Sequence, residues 1–219
     1  MRKVPFVIAL TLAVGVLNSC VPKKDHSGRL GQQGRHIVQS IIAANLERES
    51  ISMGPVWPYK SANFKEGQPS ESEYNPATSD EYFADLIACM EIEGISWSDF
   101  AGGGIPAARN DKEFRAGGKN AWSYIVYPDE DLPDDIPFMF TKNFRITNDD
   151  LRDYTPETSF EKKLDKSVKP LGNQAIIVIQ KGSGTQTLPA EYLRDASYFF
   201  GSITDDVDLI RKCTVVHPK

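Results

Sequence analysis

The first twenty residues constrain this chain most, because they have the layout of a segment that takes a protein out of the cytoplasm. Arg2 and Lys3 form a basic start, and residues 4–16 are an almost unbroken apolar run. That run is shorter than the roughly 20 apolar residues that a membrane-spanning helix needs. A charged start, a short apolar middle and a small residue at the end are typical of a secretory signal peptide.

The segment ends in Leu17, Asn18, Ser19 and Cys20. These residues resemble a bacterial lipobox, in which the cysteine is acylated, for example with palmitate, and becomes the first mature residue. Two or more acyl chains, at about 0.8 kcal/mol per buried CH₂, hold a protein stably on a bilayer. The resemblance implies that residues 1–19 are removed and that Cys20 carries the lipid. The alternative is an ordinary cleaved signal in which Cys20 is incidental.

The lipobox also sets an expected location, which is the cell envelope, facing the periplasm or the exterior. Val21 stands where many lipoproteins of the inner membrane carry an aspartate, so the outer membrane is the default expectation. The full chain has a formal charge of −5, and removal of Arg2 and Lys3 would make it −7. An acidic chain without a basic stripe argues against nucleic acid as a partner. It also argues against attraction to anionic lipid beyond the acyl anchor, since Lys23 and Lys24 are the only basic pair beside it.

The chain has three cysteines, and two remain if Cys20 is acylated. In an oxidising compartment, Cys89 and Cys213 are expected to form a disulfide. The alternative is two buried thiols. The sequence holds no Cys-x-x-Cys and no cluster of cysteine and histidine, which argues against a zinc site.

After the anchor, residues 20–34 predict a polar tether, because they combine charged residues with several glycines and such chains behave as flexible coils. Arg35 to Ser50 predicts an amphipathic helix that packs on the domain's own sheet. Its apolar stripe consists of Ile37, Val38, Ile41, Ile42, Ala44 and Leu46. A second helix is expected from Ser79, with Thr78 and Glu81 as its capping box and Gly94 near its end.

The second half of the chain predicts a sheet. Strands are expected at 121–127, 136–141 and 175–180, and a glycine-rich turn at 181–184 leads to a returning strand at 185–188. The strand at 175–180 is apolar on both faces, so we expect it inside the sheet. The charged stretch near 145–170 predicts a surface insertion, 192–200 a short helix and 205–219 a tail. Helices followed by antiparallel strands predict one α+β domain over residues 35–219.

Six segments, in this order, resemble the globular head of pseudopilin-like proteins of type II secretion systems. They are the helix at 34–50, Val56-Trp57-Pro58, Ser79-x-x-Tyr82-Phe83, Asn120-Ala121-Trp122, the turn and strand at 131–143, and the hairpin at 175–188. The resemblance covers roughly residues 34–188. It implies an N-terminal amphipathic helix packed on a small antiparallel sheet. It also implies a structural or binding role, with secretion-system or pilus-like proteins as partners and without catalysis or a cofactor.

One departure from that family concerns the start of the chain. A pseudopilin begins with a short leader, a processing site and about 20 apolar residues that build the spine of a filament. Here a lipobox stands in that place. The resemblance therefore implies the head fold and leaves filament assembly without its spine contact.

An acidic run predicts either a solvated turn, which we favour, or a calcium site. The candidate ligands are Asp129, Asp131, Asp134 and Asp135. Hard cations take several oxygen ligands on a flexible loop, and some major pseudopilins bind calcium in a loop of the head. The run lacks EF-hand spacing, and Pro128 and Pro133 interrupt it. A solvated turn between two strands therefore explains the run best.

Other residue types leave two further classes of function open. His26, His36 and His217 lie in no catalytic motif and are expected to be surface residues. Trp57, Trp97, Trp122 and the eight tyrosines are expected mainly in the core and at its rim. If some of them line a cleft, the alternative function is a lipoprotein that binds a small molecule or glycan. A secreted hydrolase has the least support in the sequence.

Overall fold

A five-stranded antiparallel sheet forms the centre of the structure, a computed structural model that describes residues 26–50, 57, 76–88, 92–128 and 131–219. The strands are β1 (Trp122–Val126), β2 (Pro137–Thr141), β3 (Ala175–Gln180), β4 (Thr185–Pro189) and β5 (Thr214–Val216). Their order across the sheet is β4-β3-β2-β1-β5, and every adjacent pair is antiparallel. The expected α+β class is confirmed, as are the first four strands and the β3–β4 hairpin.

Helices and short helical turns cover the sheet. The α-helices are α1 (His26–Ser50), α2 (Ser79–Ala88), α3 (Asp111–Arg115), α4 (Asn148–Arg152), α5 (Ser197–Phe200) and α6 (Val207–Lys212). Single 3₁₀ turns lie at Trp97–Phe100, Glu161–Lys163, Ala190–Arg194 and Gly201–Ile203. In the part of the chain that the structure describes, no helix combines the length and apolar character needed to cross a bilayer.

The side chains of the strands alternate between two hydrophobic clusters, one on each face of the sheet. On β3, Ile177 and Ile179 face the first cluster, while Ile176 and Val178 face the second. This alternation follows from the pleat, in which successive side chains point to opposite faces. Because both faces of β3 are covered, the strand is apolar on both sides, and its expected position inside the sheet is confirmed.

The first cluster lies beneath α1, α2 and α3. The expected stripe of α1 is confirmed at Ile37, Val38 and Ile41, which are all fully buried. It is wrong at Leu46, whose side chain is 63% exposed. The helical periodicity places Leu46 on the margin of the apolar face, away from the buried Ile37, Val38 and Ile41.

The start of α1 corrects the expected tether. Residues 26–34 are helical, so the segment 20–34 is not a coil throughout. Leu30 and Gly34 are buried, Leu30 beside the glycines at 102–103 and Gly34 against the sheet. A Cβ atom at Gly34 would lie 2.6 Å from Cγ1 of Ile179 and 2.9 Å from the ring of Trp122. The glycines that suggested a linker instead allow the helix backbone to approach the sheet closely.

Replacing Gly34 by alanine should therefore lower the free energy of unfolding, although alanine favours helix formation. We expect a loss of about 1–3 kcal/mol, typical of an overpacked core, measured by urea denaturation. Gly28 is the matched control, because it is exposed in the same helix. Gly28→Ala should raise the stability by up to about 1 kcal/mol. A stabilising effect of both substitutions would contradict the close contact between α1 and the sheet.

Helix α2 begins at Ser79, as expected. Its cap is confirmed in part, since the Thr78 hydroxyl accepts a hydrogen bond from the Glu81 amide at 3.3 Å. The Glu81 carboxylate accepts from the amide of Ala77 at 2.9 Å instead of returning to Thr78. The helix ends at Ala88, and Gly94 lies in a later turn with a φ of +83°.

The charged stretch 145–170 is not the surface insertion that its composition suggested. Ile146, Leu151, Tyr154 and Phe160 are buried in the second cluster. They occur singly between charged residues, which hides any regular apolar period. Each contributes one large side chain to the cover of the sheet, and the charged residues between them face solvent.

The C-terminal tail is also more ordered than expected. It contains α6 and β5, and β5 pairs with β1 at the edge of the sheet. Val215 and Val216 are buried, and the amide of Val215 donates to the side chain of Asn148 at 2.6 Å. A strand of three residues gives too short a run to show an alternating pattern in the sequence.

Candidate functional site

A cleft lies between the first turns of α1 and the loop of three successive glycines at 102–104. Its volume is about 290 Å³, near the lower end of the roughly 300–1,000 Å³ that ligand pockets occupy. Its lining residues are Arg29, Leu30, Ser98, Ala101, Gly102, Gly103, Gly104, Ile105 and Ala107. The sequence marked the glycines as a loop but gave no signal that α1 would begin early enough to form the other wall.

The loop is held in a tight turn. The amide of Gly102 donates to the carbonyl of Ile105 and the amide of Ile105 donates back, both at 3.0 Å. All three glycines have positive φ values, which side chains disfavour. A Cβ atom at Gly103 would collide with Pro170, so packing also requires glycine there. The shape of the cleft is therefore set by the fold, through the contact between this loop and residues 169–170.

Two basic side chains stand at the cleft. Arg29 lines it, and Nζ of Lys169 lies 3.3 Å from the position that a Cβ atom of Gly104 would take. Both side chains are exposed, and neither has an ion-pair partner among the described residues. The residues that line the cleft include no carboxylate, histidine or cysteine. This arrangement suits the binding of an anionic or polar group.

A serine and a histidine do meet, but inside the protein. Oγ of Ser123 lies 2.8 Å from Nδ1 of His217, and Nε2 of His217 lies 2.7 Å from the carbonyl of Ile146. A carbonyl can only accept, so Nε2 donates to it and Nδ1 accepts from Ser123. Burial lowers the pKa of His217, and Ser123 is fully buried. The pair thus ties the end of the chain to β1 and is not open to a substrate.

The same region buries a charged group, Asp80. Burial raises the pKa of its carboxyl, against a hydrogen bond of 2.8 Å from the amide of Lys219 that lowers it. Burial lowers the pKa of Lys142, whose charge interacts with that of Asp80. Neighbouring polar groups are satisfied, since Asn120 donates to Ser79 at 3.0 Å and Ser79 donates to the carbonyl of Trp122 at 2.8 Å. This network joins α2, β1 and the end of the chain.

The other two predicted histidines differ in their surroundings. His26 is the first residue of α1, and its side chain lies outside the described residues. His36 is exposed on α1, as expected, with Nδ1 at 3.4 Å from a carboxylate oxygen of Asp99. The expectation of a surface residue is wrong for His217, whose apolar neighbours come from elements far apart in the sequence.

The acidic turn lies at the surface beside the β3–β4 hairpin. Asp129 is outside the described residues, while Asp131, Asp134 and Asp135 are exposed. The carboxylate of Asp135 accepts from Ser202 at 2.6 Å, and the Asp134 carbonyl accepts from the amide of Gly182 at 2.8 Å. The described part of the chain brings no three potential metal ligands together. These contacts fasten the turn to the sheet.

The aromatic residues are placed mostly as expected. Trp57 and Trp122 are buried, and Trp97 packs on Phe114 with ring centroids 5.0 Å apart. Among the described aromatic residues, Tyr192 and Tyr198 are the exception, with 41% and 45% of their surfaces exposed and ring centroids 4.7 Å apart. Because Trp57 and Trp122 are buried, neither offers an exposed ring to an aromatic cleft of the kind that the small-molecule or glycan-binding alternative needs.

The predicted lipidation site Cys20 and the predicted disulfide partner Cys89 lie outside the described residues. Cys213 is buried in the second cluster, with Sγ at 3.3 Å from the carbonyl of Leu209. The Cys89–Cys213 disulfide therefore stays a prediction. It requires the two Cα atoms to lie within about 7 Å.

Mass spectrometry of the unreduced, alkylated protein tests that bridge. We expect one peptide pair linked through Cys89 and Cys213, which separates on reduction. In the chain-entropy model a loop of this length contributes about 4–5 kcal/mol, so reduction should lower the midpoint of thermal unfolding. Alkylation of both cysteines without prior reduction would rule the bridge out.

Comparison of the chain with protein-family models, curated proteins and solved structures finds no match.

Proposed function

We propose that this protein is a lipid-anchored component of a bacterial cell envelope with a structural or binding role in a type II secretion or pilus-like assembly. The observation that carries the proposal is a lipobox at Cys20 followed by a helix that begins at His26 and lies on an antiparallel sheet. A helix on such a sheet is the head architecture that the pseudopilin resemblance implies. The lipid replaces the apolar spine as the means of attachment.

The chemistry of the described residues supports a role in binding rather than catalysis. The cleft lacks acidic groups and histidine in its lining. Among the described residues, the serine and histidine in close contact are Ser123, which is fully buried, and His217, which is half-buried. Asp80, the buried carboxyl with a raised pKa, is held by the Lys219 amide rather than aimed at a cleft.

The exposed face of α1 is the surface that we assign to partner proteins. Leu46 is a large apolar side chain that is 63% exposed, and Ala43 and Glu47 beside it are exposed too. An apolar side chain left at the surface of a helix can enter a groove between neighbouring helices of an assembly. Helix α1 presents this face away from the sheet, because its opposite face is buried.

Site-specific photo-crosslinking in intact cells tests the proposal. A photoreactive residue at Leu46 should capture subunits of a secretion or pilus-like assembly, identified by mass spectrometry. The control position is Arg152, which is exposed on α4 at the other face of the sheet. Assembly subunits should be absent or at least several-fold weaker there. The same products from both positions, or none from Leu46, would refute the assignment of this face.

A further inference from the structure

We infer that the cleft of Arg29, Lys169 and the glycine loop docks on phosphate headgroups of an anionic bilayer, and so holds the domain against the membrane to which the chain is anchored. The inference deepens the proposed function, because it rests on a lipid at Cys20. The partner is the lipid surface itself, identified by its negative charge and phosphate oxygens. The acidic composition of the whole chain argues against such a surface, so the cleft would be a local exception to the overall charge.

The cleft lies close to the anchor along the chain. Cys20 and His26 are six residues apart, which span at most about 20 Å when fully extended. Arg29 lies in the first turn of α1, directly after that stretch. Whatever path the intervening residues take, an anchor at Cys20 keeps the Arg29 end of the domain close to the headgroups. The cleft is therefore at the end of the domain that meets the membrane.

The two basic side chains at the cleft are available to an anionic partner. Two other exposed arginines are engaged in ion pairs, Arg109 with Glu113 at 2.9 Å and Arg194 with Glu161 at 2.9 Å. At the cleft, Arg29 and Lys169 have no such partner among the described residues. An arginine offers a planar fork of donors that fits two phosphate oxygens, and a lysine adds a point charge.

The glycine loop at 102–104 contributes backbone amides. Gly103 and Gly104 lie at the tip of the turn that Gly102 and Ile105 close, so their amides do not take part in that pair of hydrogen bonds. Successive amides in a turn can form a concave site for an anion, and the absence of side chains lets a ligand approach. Lys169 approaches Gly104 from the neighbouring segment. Arg29 and the glycine loop thus line one cleft of about 290 Å³, and Lys169 lies beside the loop at Gly104.

Vesicle flotation measures this interaction apart from the anchor. The protein is residues 20–219 carrying Cys20→Ser, so that neither an acyl group nor the apolar run of residues 4–16 holds it on the vesicles. The probes are vesicles of phosphatidylcholine alone and of phosphatidylcholine with phosphatidylglycerol. We expect binding to the anionic vesicles that falls as salt rises, because ions screen exposed charges.

Substitution then locates the contact. Arg29→Gln with Lys169→Gln should weaken binding to the anionic vesicles about 25-fold, roughly fivefold for each charge. The control, Arg152→Gln with Lys162→Gln, removes the same charge from exposed residues on the other face and should change binding no more than about twofold. Equal thermal unfolding midpoints would show that all variants fold.

Three results would overturn the inference. They are equal binding to the two kinds of vesicle, equal losses in the two double variants, and displacement of the protein from anionic vesicles by soluble glycerol phosphate alone. The last would assign the cleft to a free anion. The vesicle assay uses protein without acyl chains, so its outcome does not depend on the lipid anchor. A failure of the anchor would be seen by membrane fractionation, and a failure of the assembly role by crosslinking.

Discussion

A chain that ends at Cys213 should not fold cooperatively, because residues 214–219 cover the outer edge of β1 and complete the polar network beneath it. Removal exposes the apolar surface now buried with Val215 and Val216, each worth roughly 1.5–3 kcal/mol. It also leaves Ser123 and Asp80 buried without the partners that His217 and Lys219 provide, at about 1–3 kcal/mol each. Together these losses are comparable with the 5–15 kcal/mol that stabilises a typical domain.

Near-ultraviolet circular dichroism and thermal melting check this expectation. The truncated chain should lose its near-ultraviolet signal and its cooperative transition. Removal of Lys219 alone is the control, since it deletes the hydrogen bond to Asp80 and the contacts of Nζ with Arg115 and Glu81 but leaves β5 in place. That variant should still melt cooperatively at a lower temperature. A cooperative transition in the longer truncation would mean that the tail is dispensable for the fold.

The sheet was predictable where the strands carry their own signal. β3 is six residues of mostly β-branched side chains followed by a glycine-rich turn, and β1 and β2 are dense in aromatic and branched residues. These strands need no distant information to be recognised. β5 is only three residues long, and its place beside β1 depends on contacts such as that between His217 and Ser123. Such contacts join residues about ninety positions apart.

The helices show a different limit. Gly31 and Gly34 suggested a linker because glycine weakens an isolated helix. In the fold they lie against Thr185 and Ile179, where a side chain would not fit. The cost of glycine in the helix is offset by close packing, which only the assembled sheet reveals. The same reasoning explains why the cleft could not be foreseen, since one wall is the part of α1 that looked like a tether.

The candidate site was predictable only in fragments. The glycines at 102–104 were evident as a loop, but Arg29 and Lys169 are about 140 residues apart and carry no motif. Lys169 lies beside Gly104, next to Pro170, which packs on Gly103. By contrast, the acidic run at 129–135 is conspicuous in the sequence. In the structure, Asp134 and Asp135 accept hydrogen bonds from Gly182 and Ser202, which hold the turn in place.

Replacing Cys20 by serine should move the protein from the membrane pellet to the soluble exported fraction, the largest change in location that one substitution can cause here. Each buried CH₂ of an acyl chain contributes about 0.8 kcal/mol, so two chains hold a protein far more firmly than a cleft with two basic side chains. A carbonate wash of the membranes separates these contributions, because it removes proteins held by charge alone. Unsubstituted protein should resist the wash, and Lys24→Arg, which leaves the lipobox unchanged, is the control. Membrane retention of the Cys20→Ser variant after the wash would show that something other than a lipid on this residue is the anchor.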